Sequence, residues 1–175
     1  LEFARRLSSS GPTEGKILLK DRQPPRSLAI VHCVGSRSRD FQGYCSEVCC
    51  RYSLKFAHQV RRQLPDVEII ELFSDLCLPG LHAQPLFDSL KEDGKTTLAR
   101  MRDPGAVTIT AAEERISITY LESSGEAQTR LVDMVVLSPA MTGSDTASIL
   151  SEIFDLPTDQ DGFFQIGQAA IDPVS

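Results

Sequence analysis

Four of the five cysteines, Cys33, Cys45, Cys49 and Cys50, fall within 18 residues, in the spacing Cys-x11-Cys-x3-Cys-Cys. Sulfur donors at that density suit soft metals. The spacing matches neither the two-residue zinc knuckles nor the common ferredoxin run. Cys49 and Cys50 are poor disulfide partners for each other. Adjacent α-carbons lie about 3.8 Å apart, whereas a disulfide wants about 4.4 Å or more. At the first turn of a helix, however, neighbouring cysteines can offer both sulfurs to one multinuclear cluster. The helix N-terminus favours each thiolate by about 0.3–1 kcal/mol and lowers its pKa. Arg37 and Arg39 add positive charge to the same loop. An iron-sulfur cluster is therefore favoured over a zinc site, and over reduced thiols that merely pack as small apolar groups. Gly35, Ser36 and Arg37 are expected to contact the cofactor. Cys77 reads as a core or spare reactive thiol. His32 sits inside an apolar strand and His58 on a polar helix face, so neither is assigned as a ligand, and His82 is expected to be exposed after Pro79-Gly80.

Positioning those sulfurs requires a strand that ends at Cys33 and a helix that begins near Cys49. Residues 27–34, Ser-Leu-Ala-Ile-Val-His-Cys-Val, form an apolar run of strand length, buried on both faces. Val48, Tyr52, Phe56, Val60 and Leu64 then recur every fourth residue, which predicts an amphipathic helix with Ser46 as N-cap and Pro65 as stop. Residues 67–73 read as a second strand, completing a βαβ unit. Further on, residues 82–92 have helical spacing, and residues 96–101 read as a third strand. Residues 107–110, 116–121 and 128–131 alternate as an antiparallel meander. Residues 134–137 predict another buried strand, and 148–154 a short helix. Near the N-terminus, residues 1–7 read as a short amphipathic run and 16–19 as a short strand, followed by a Pro-Pro linker. The sum is an α/β, Rossmann-like three-layer domain with a β-meander, similar to the pyridine-nucleotide domain of thioredoxin-reductase-type flavoproteins. Where such a domain carries Gly-x-Gly-x-x-Gly, this chain has Cys33-Val34-Gly35-Ser36-Arg37-Ser38. A dinucleotide is not expected to bind at that loop.

The 175 residues suit one domain with trailing segments. The divisions expected are an N-terminal segment and linker at 1–26, the Cys-containing domain at 27–140, and a C-terminal helix with a return segment at 141–175. A net charge of -6 without a basic stripe argues against nucleic acid as a partner. No apolar run reaches the roughly 20 residues of a membrane span, so direct membrane insertion is not expected and a cytoplasmic location is. The first and last residues both read as cut ends of something longer.

The run Cys33-Val34-Gly35-Ser36-Arg37, followed by residues 43–55, Gly-Tyr-Cys-Ser-Glu-Val-Cys-Cys-Arg-Tyr-Ser-Leu-Lys, closely resembles the A subunit of heterodisulfide reductase. Its relatives include flavoprotein subunits of quinone-interacting oxidoreductases. Leu1-Glu2-Phe3, Ser10-Gly11-Pro12 and Asp161-Gly162-Phe163-Phe164 support the likeness. The resemblance implies that Cys33, Cys45, Cys49 and Cys50 ligate a 4Fe-4S cluster that relays electrons to or from a flavin. It implies FAD only in the full-length parent, other subunits of a redox complex as partners, and a fragment of an oxidoreductase that is inactive alone. Leu76 to Pro85 departs from the family's usual sequence. Two alternatives stand beside this expectation. One is a degenerate nucleotide-binding-like module for contact between subunits, without a cluster, and the other is an NAD(P)H-binding domain.

Overall fold

In the computed structural model, residues 2–165 are described. They fall into two compact units divided after Ala140. In the first unit the elements run α1 (Glu2–Leu7), β1 (Ser27–Val34), α2 (Cys49–Gln63), β2 (Glu68–Phe73), α3 (Ala83–Glu92) and β3 (Thr96–Arg100). A short 3-10 turn (Pro104–Ala106) leads into β4 (Thr108–Ala112), β5 (Arg115–Leu121), β6 (Ala127–Val132) and β7 (Met134–Pro139).

Two sheets form. The larger is parallel, in the order β3-β2-β1-β7, and the smaller is the antiparallel meander β4-β5-β6. Alternation along β1 explains how they stack, since successive side chains in a strand point to opposite faces. Leu28 and Ile30 pack with Leu54, Ala57 and Val60 of α2 and Leu90 of α3. Ala29 and Val31 face the other way, against Ile118 and Tyr120 of β5 and Val132 of β6. The central sheet is thus covered by helices on one side and by the meander on the other. This is the three-layer, Rossmann-like α/β fold anticipated from the periodicities. Each fully buried leucine of this core contributes about 1.5–3 kcal/mol through its removal from water, and that burial fixes the end of β1 relative to the start of α2.

Local departures from expectation have physical causes. Residues 16–19 form no strand; Ile17 is instead buried from a loop, as a plug for the helical side of the core. Helix α2 starts at Cys49, three residues after Ser46, because Glu47 takes a left-handed conformation (φ 59°) and the Val48 amide turns back to the Ser46 carbonyl at 2.8 Å. Val48 stands at the N-cap position and gives no side-chain cap. His82 is exposed, as expected.

The second unit contains α4 (Ala147–Phe154). It ends at Asp155, whose left-handed conformation (φ 52°) lets the Leu156 amide bond the Ser151 carbonyl at 3.1 Å. Thr158 and Phe164 form an isolated antiparallel bridge. The return segment expected after residue 165 lies outside the described residues.

Candidate metal centre

The carboxyl end of β1 and the uncapped start of α2 bring Cys33, Cys49 and Cys50 together. All three are buried, each with 2% of its surface exposed. The Cys50 thiol donates to the Asp75 carbonyl at 3.8 Å, and Cys33 and Cys50 are the two thiols that act most strongly on Cys49. Interaction with Cys33 first and Cys50 second holds the Cys49 thiol far below its usual range and outweighs burial, which opposes it. Interaction with Cys49, followed by desolvation, pushes Cys33 and Cys50 up correspondingly. Since α2 has no side-chain cap, its first-turn amides add the positive end of the helix beside the same sulfurs.

Cys45 comes from the intervening loop. Its sulfur accepts the Glu47 amide at 3.4 Å, it is half-buried, and it reaches Cys33 and Arg37 through charge. The loop is shaped by its own backbone. The Arg37 amide bonds the Tyr44 carbonyl at 3.0 Å, Ser38 bonds Gln42 at 3.0 Å, and Gln42 bonds Gly35 at 3.1 Å. Cys33 and Arg37 both adopt φ 56°, and Gly35 φ 75°, so the chain leaves β1 through a sharp left-handed bend. Ser36 is buried there with its hydroxyl unpartnered, while Arg37 points outward and pairs with Asp75 at 3.0 Å.

Three of the four expected ligands are therefore buried where β1 meets α2, close enough to act on one another, and the fourth is carried on the loop next to them. Among the described residues, no group of three or more His, Cys, Asp or Glu side chains is arranged to hold a single metal ion. The donor chemistry fits a larger thiolate-bound centre: four sulfurs, one strongly stabilised as thiolate, at the positive end of a helix. The residues of that set are Cys33, Cys45, Cys49 and Cys50. Cys77 lies outside it, half-buried, and its amide is donated to the Cys50 sulfur.

Several neighbours were not anticipated. His32 and Glu71 are fully buried and hydrogen-bonded to each other, and His32 helps to lower Cys49. Tyr52, whose ionisation burial disfavours, lies within charge range of Cys49, Cys50 and Cys33 and hydrogen-bonds Ser138. Ser53 and Ser138 are joined at 2.8 Å in the core. The available signal was a polar residue inside each otherwise apolar strand, His32 in β1, Glu71 in β2 and Ser138 in β7. Buried polar groups of this kind need partners.

No protein-family model matches this sequence. It is 31% identical to an iron-sulfur A subunit of CoB--CoM heterodisulfide reductase from Methanopyrus kandleri, over 99% of this chain and 27% of that protein. It is 29% identical to the A subunit of H(2):CoB-CoM heterodisulfide,ferredoxin reductase from Methanothermobacter marburgensis, with the same two coverages. Among solved structures, L-lysine 6-monooxygenase from Pseudomonas syringae superposes on 95% of this chain and 45% of its own, with a TM-score of 0.55 and 13% identity, a likeness of fold alone. The chain spans about a quarter of the length of the curated relatives it matches. Over nearly its whole length the chain is thus similar to one segment of the much longer A subunits of heterodisulfide reductases.

Proposed function

We propose that this chain is an electron-transfer segment of an oxidoreductase, in which Cys33, Cys45, Cys49 and Cys50 hold a 4Fe-4S cluster. The observation that carries this reading is that Cys33, Cys49 and Cys50 are buried together where the end of β1 meets the uncapped start of α2. It is supported by the name of the Methanopyrus relative, which is an iron-sulfur protein. When bound, such a cluster stores and releases one electron at a potential set by nearby hydrogen bonds, charge and burial.

The chain's own residues supply those settings. Cys33 and Cys49 are fixed by the two ends of the βα connection, and Cys45 is carried on the loop between them. The Cys77 amide donated to the Cys50 sulfur, and the Glu47 amide donated to that of Cys45, withdraw negative charge from the thiolates. Arg37 stands on the loop at charge range of Cys33 and Cys45. The apolar side chains of the βα core exclude water beneath. Gly35 and Ser36 let the backbone turn close to the sulfurs. FAD belongs to the full-length parent in this reading, together with the other subunits of its redox complex and a cytoplasmic location. No helix among the described residues is long and apolar enough to cross a membrane.

Anaerobic reconstitution with ferrous iron and sulfide tests the proposal. The expected product is brown, contains iron and acid-labile sulfide in a ratio near one, and shows a broad visible absorption that bleaches on reduction. Colourless protein with stoichiometric zinc, or iron that a desalting column removes, would overturn it.

A further inference from the structure

A cleft of about 400 Å³ opens at the carboxyl edge of the parallel sheet, beside the cysteine loop. Its charged lining comes from three connections: Arg37 after β1, Asp75 after β2, and Arg100, Arg102 and Asp103 at and after β3. Most of these groups are already engaged. Asp75 bridges Arg37 at 3.0 Å and Arg100 at 2.5 Å, one to each carboxylate oxygen. Asp103 accepts the Gly105 amide at 2.8 Å and so holds the turn that forms one rim. Arg102 is different. Its guanidinium is exposed and, among the described residues, forms no ion pair. Ser74 at the cleft wall is 92% buried, and its hydroxyl has no partner.

An unpaired guanidinium beside an unpartnered hydroxyl calls for an anion with several acceptor oxygens. The volume falls within the range of small-molecule sites and far exceeds what a lone phosphate fills. The location adds the rest. In open parallel sheets, ligands sit outside the carboxyl ends of the strands, and an acidic residue after the second strand takes the ribose hydroxyls. Asp75 occupies that place, and each of its oxygens keeps a lone pair beyond its arginine partner. The glycine-rich turn that would cradle a pyrophosphate is replaced by the cysteine loop, so a full dinucleotide has no second anchor here.

We propose that this cleft binds a phosphorylated nucleoside of mononucleotide size, with its phosphate on Arg102 and Ser74 and its ribose against Asp75. The site does not depend on the cluster reading, because none of its residues is a cysteine and its geometry is complete without metal.

Calorimetric titration of the metal-free chain at low salt tests this, with adenosine diphosphate, adenosine and inorganic phosphate as separate probes. The diphosphate should bind saturably with a Kd below about 1 mM, and adenosine and phosphate should each bind at least about tenfold more weakly. Arg102→Gln, at an exposed position, should retain the circular dichroism spectrum and weaken the diphosphate by about tenfold, the scale of one charged hydrogen bond. Absent saturation, an Arg102→Gln variant equal to the parent, or phosphate binding as tightly as the nucleotide would overturn the proposal. These outcomes are read without iron, so they are separate from the fate of the cluster.

Discussion

His32 and Glu71 are hydrogen-bonded side chain to side chain between adjacent parallel strands, with no exposed surface on either. His32 Nδ1 and Glu71 Oε1 have no further partner. Removing one member leaves the other polar and unpaired in the core, which costs about 3–5 kcal/mol, whereas replacing both with apolar groups can be near neutral. Glu71→Leu should therefore lower the urea-unfolding free energy by that amount, and the His32→Leu/Glu71→Leu double variant should regain most of it. A single variant within about 1 kcal/mol of the parent would mean that the two side chains do not depend on each other.

Cys49 is the thiol on which both Cys33 and Cys50 act, and Cys77 reaches this group only through its backbone. After anaerobic reconstitution, Cys49→Ser should leave iron at background. Cys77→Ser should keep both iron and visible absorption, because a serine amide donates as a cysteine amide does. Equal loss in the two variants would place the fifth cysteine among the ligands. Iron retained in Cys49→Ser would remove Cys49 from the proposed ligand set.

Asp133, between β6 and β7, ties the start of β1 to the meander. Its carboxylate accepts the Arg26 amide at 2.8 Å, the Ser27 amide at 3.0 Å and the Arg115 guanidinium at 3.0 Å. Burial raises its pKa, but these bonds, the two amides foremost, outweigh burial and hold it below the usual carboxylate range. The folded-state pKa is thus the lower one. The stabilisation is present above the unfolded value of about 3.9 and is lost as pH falls through the folded value. Asp133→Asn should cost about 1.5–3 kcal/mol at pH 7, the scale for hydrogen bonds to a charged group. The gap to the parent should narrow below about pH 4. Denaturant melts at pH 7, 4 and 3 measure this, and a gap that stays constant would show that the charge of Asp133 contributes nothing.

The periodicities carried most of the architecture because each element's pattern agreed with its place. Apolar residues in continuous run marked β1 as buried on both faces, and four-residue spacing marked the face that α2 turns to the sheet. Local backbone choices were less visible. Ser46 has the chemistry of an N-cap, but the left-handed Glu47 and the turn at Val48 delay the helix by two residues, and that delay leaves the amides beside Cys49 uncapped. The cysteine spacing pointed to the site without giving its order. The meeting of Cys33 with Cys49 depends on the depth of β1 against α2, which follows from packing of Leu28 and Ile30 against Leu54 and Ala57. Pairings across strands were out of reach for a related reason. His32 meets Glu71 because β1 and β2 pair in a register that sets Ile30 opposite Glu71, and neither strand's sequence states that register. The Arg102 cleft likewise gathers residues from three separate connections, Arg37, Asp75 and Arg102, that lie far apart in the chain.

Helix α1 is six residues long, too short to hold itself together in water. It persists because Phe3 meets Phe56 of α2 edge to face, with ring centroids 5.4 Å apart, while Leu7 flanks the same core. The chain then turns back sharply: the Ser8 amide bonds Arg5 and the Gly11 amide bonds Ser8. A Cβ at Gly11 would lie 1.7 Å from the Arg5 carbonyl oxygen, a clash with backbone that no side-chain rotation relieves. Gly11→Ala must therefore open the turn, and opening it pulls Phe3 away from Phe56. The expected cost is about 1–3 kcal/mol, as for other overpacked sites. Hydrogen exchange should localise it, with protection falling in residues 2–15 while β1 and β2 keep theirs. Unchanged protection across residues 2–15 would show that the turn does not hold α1 against the core.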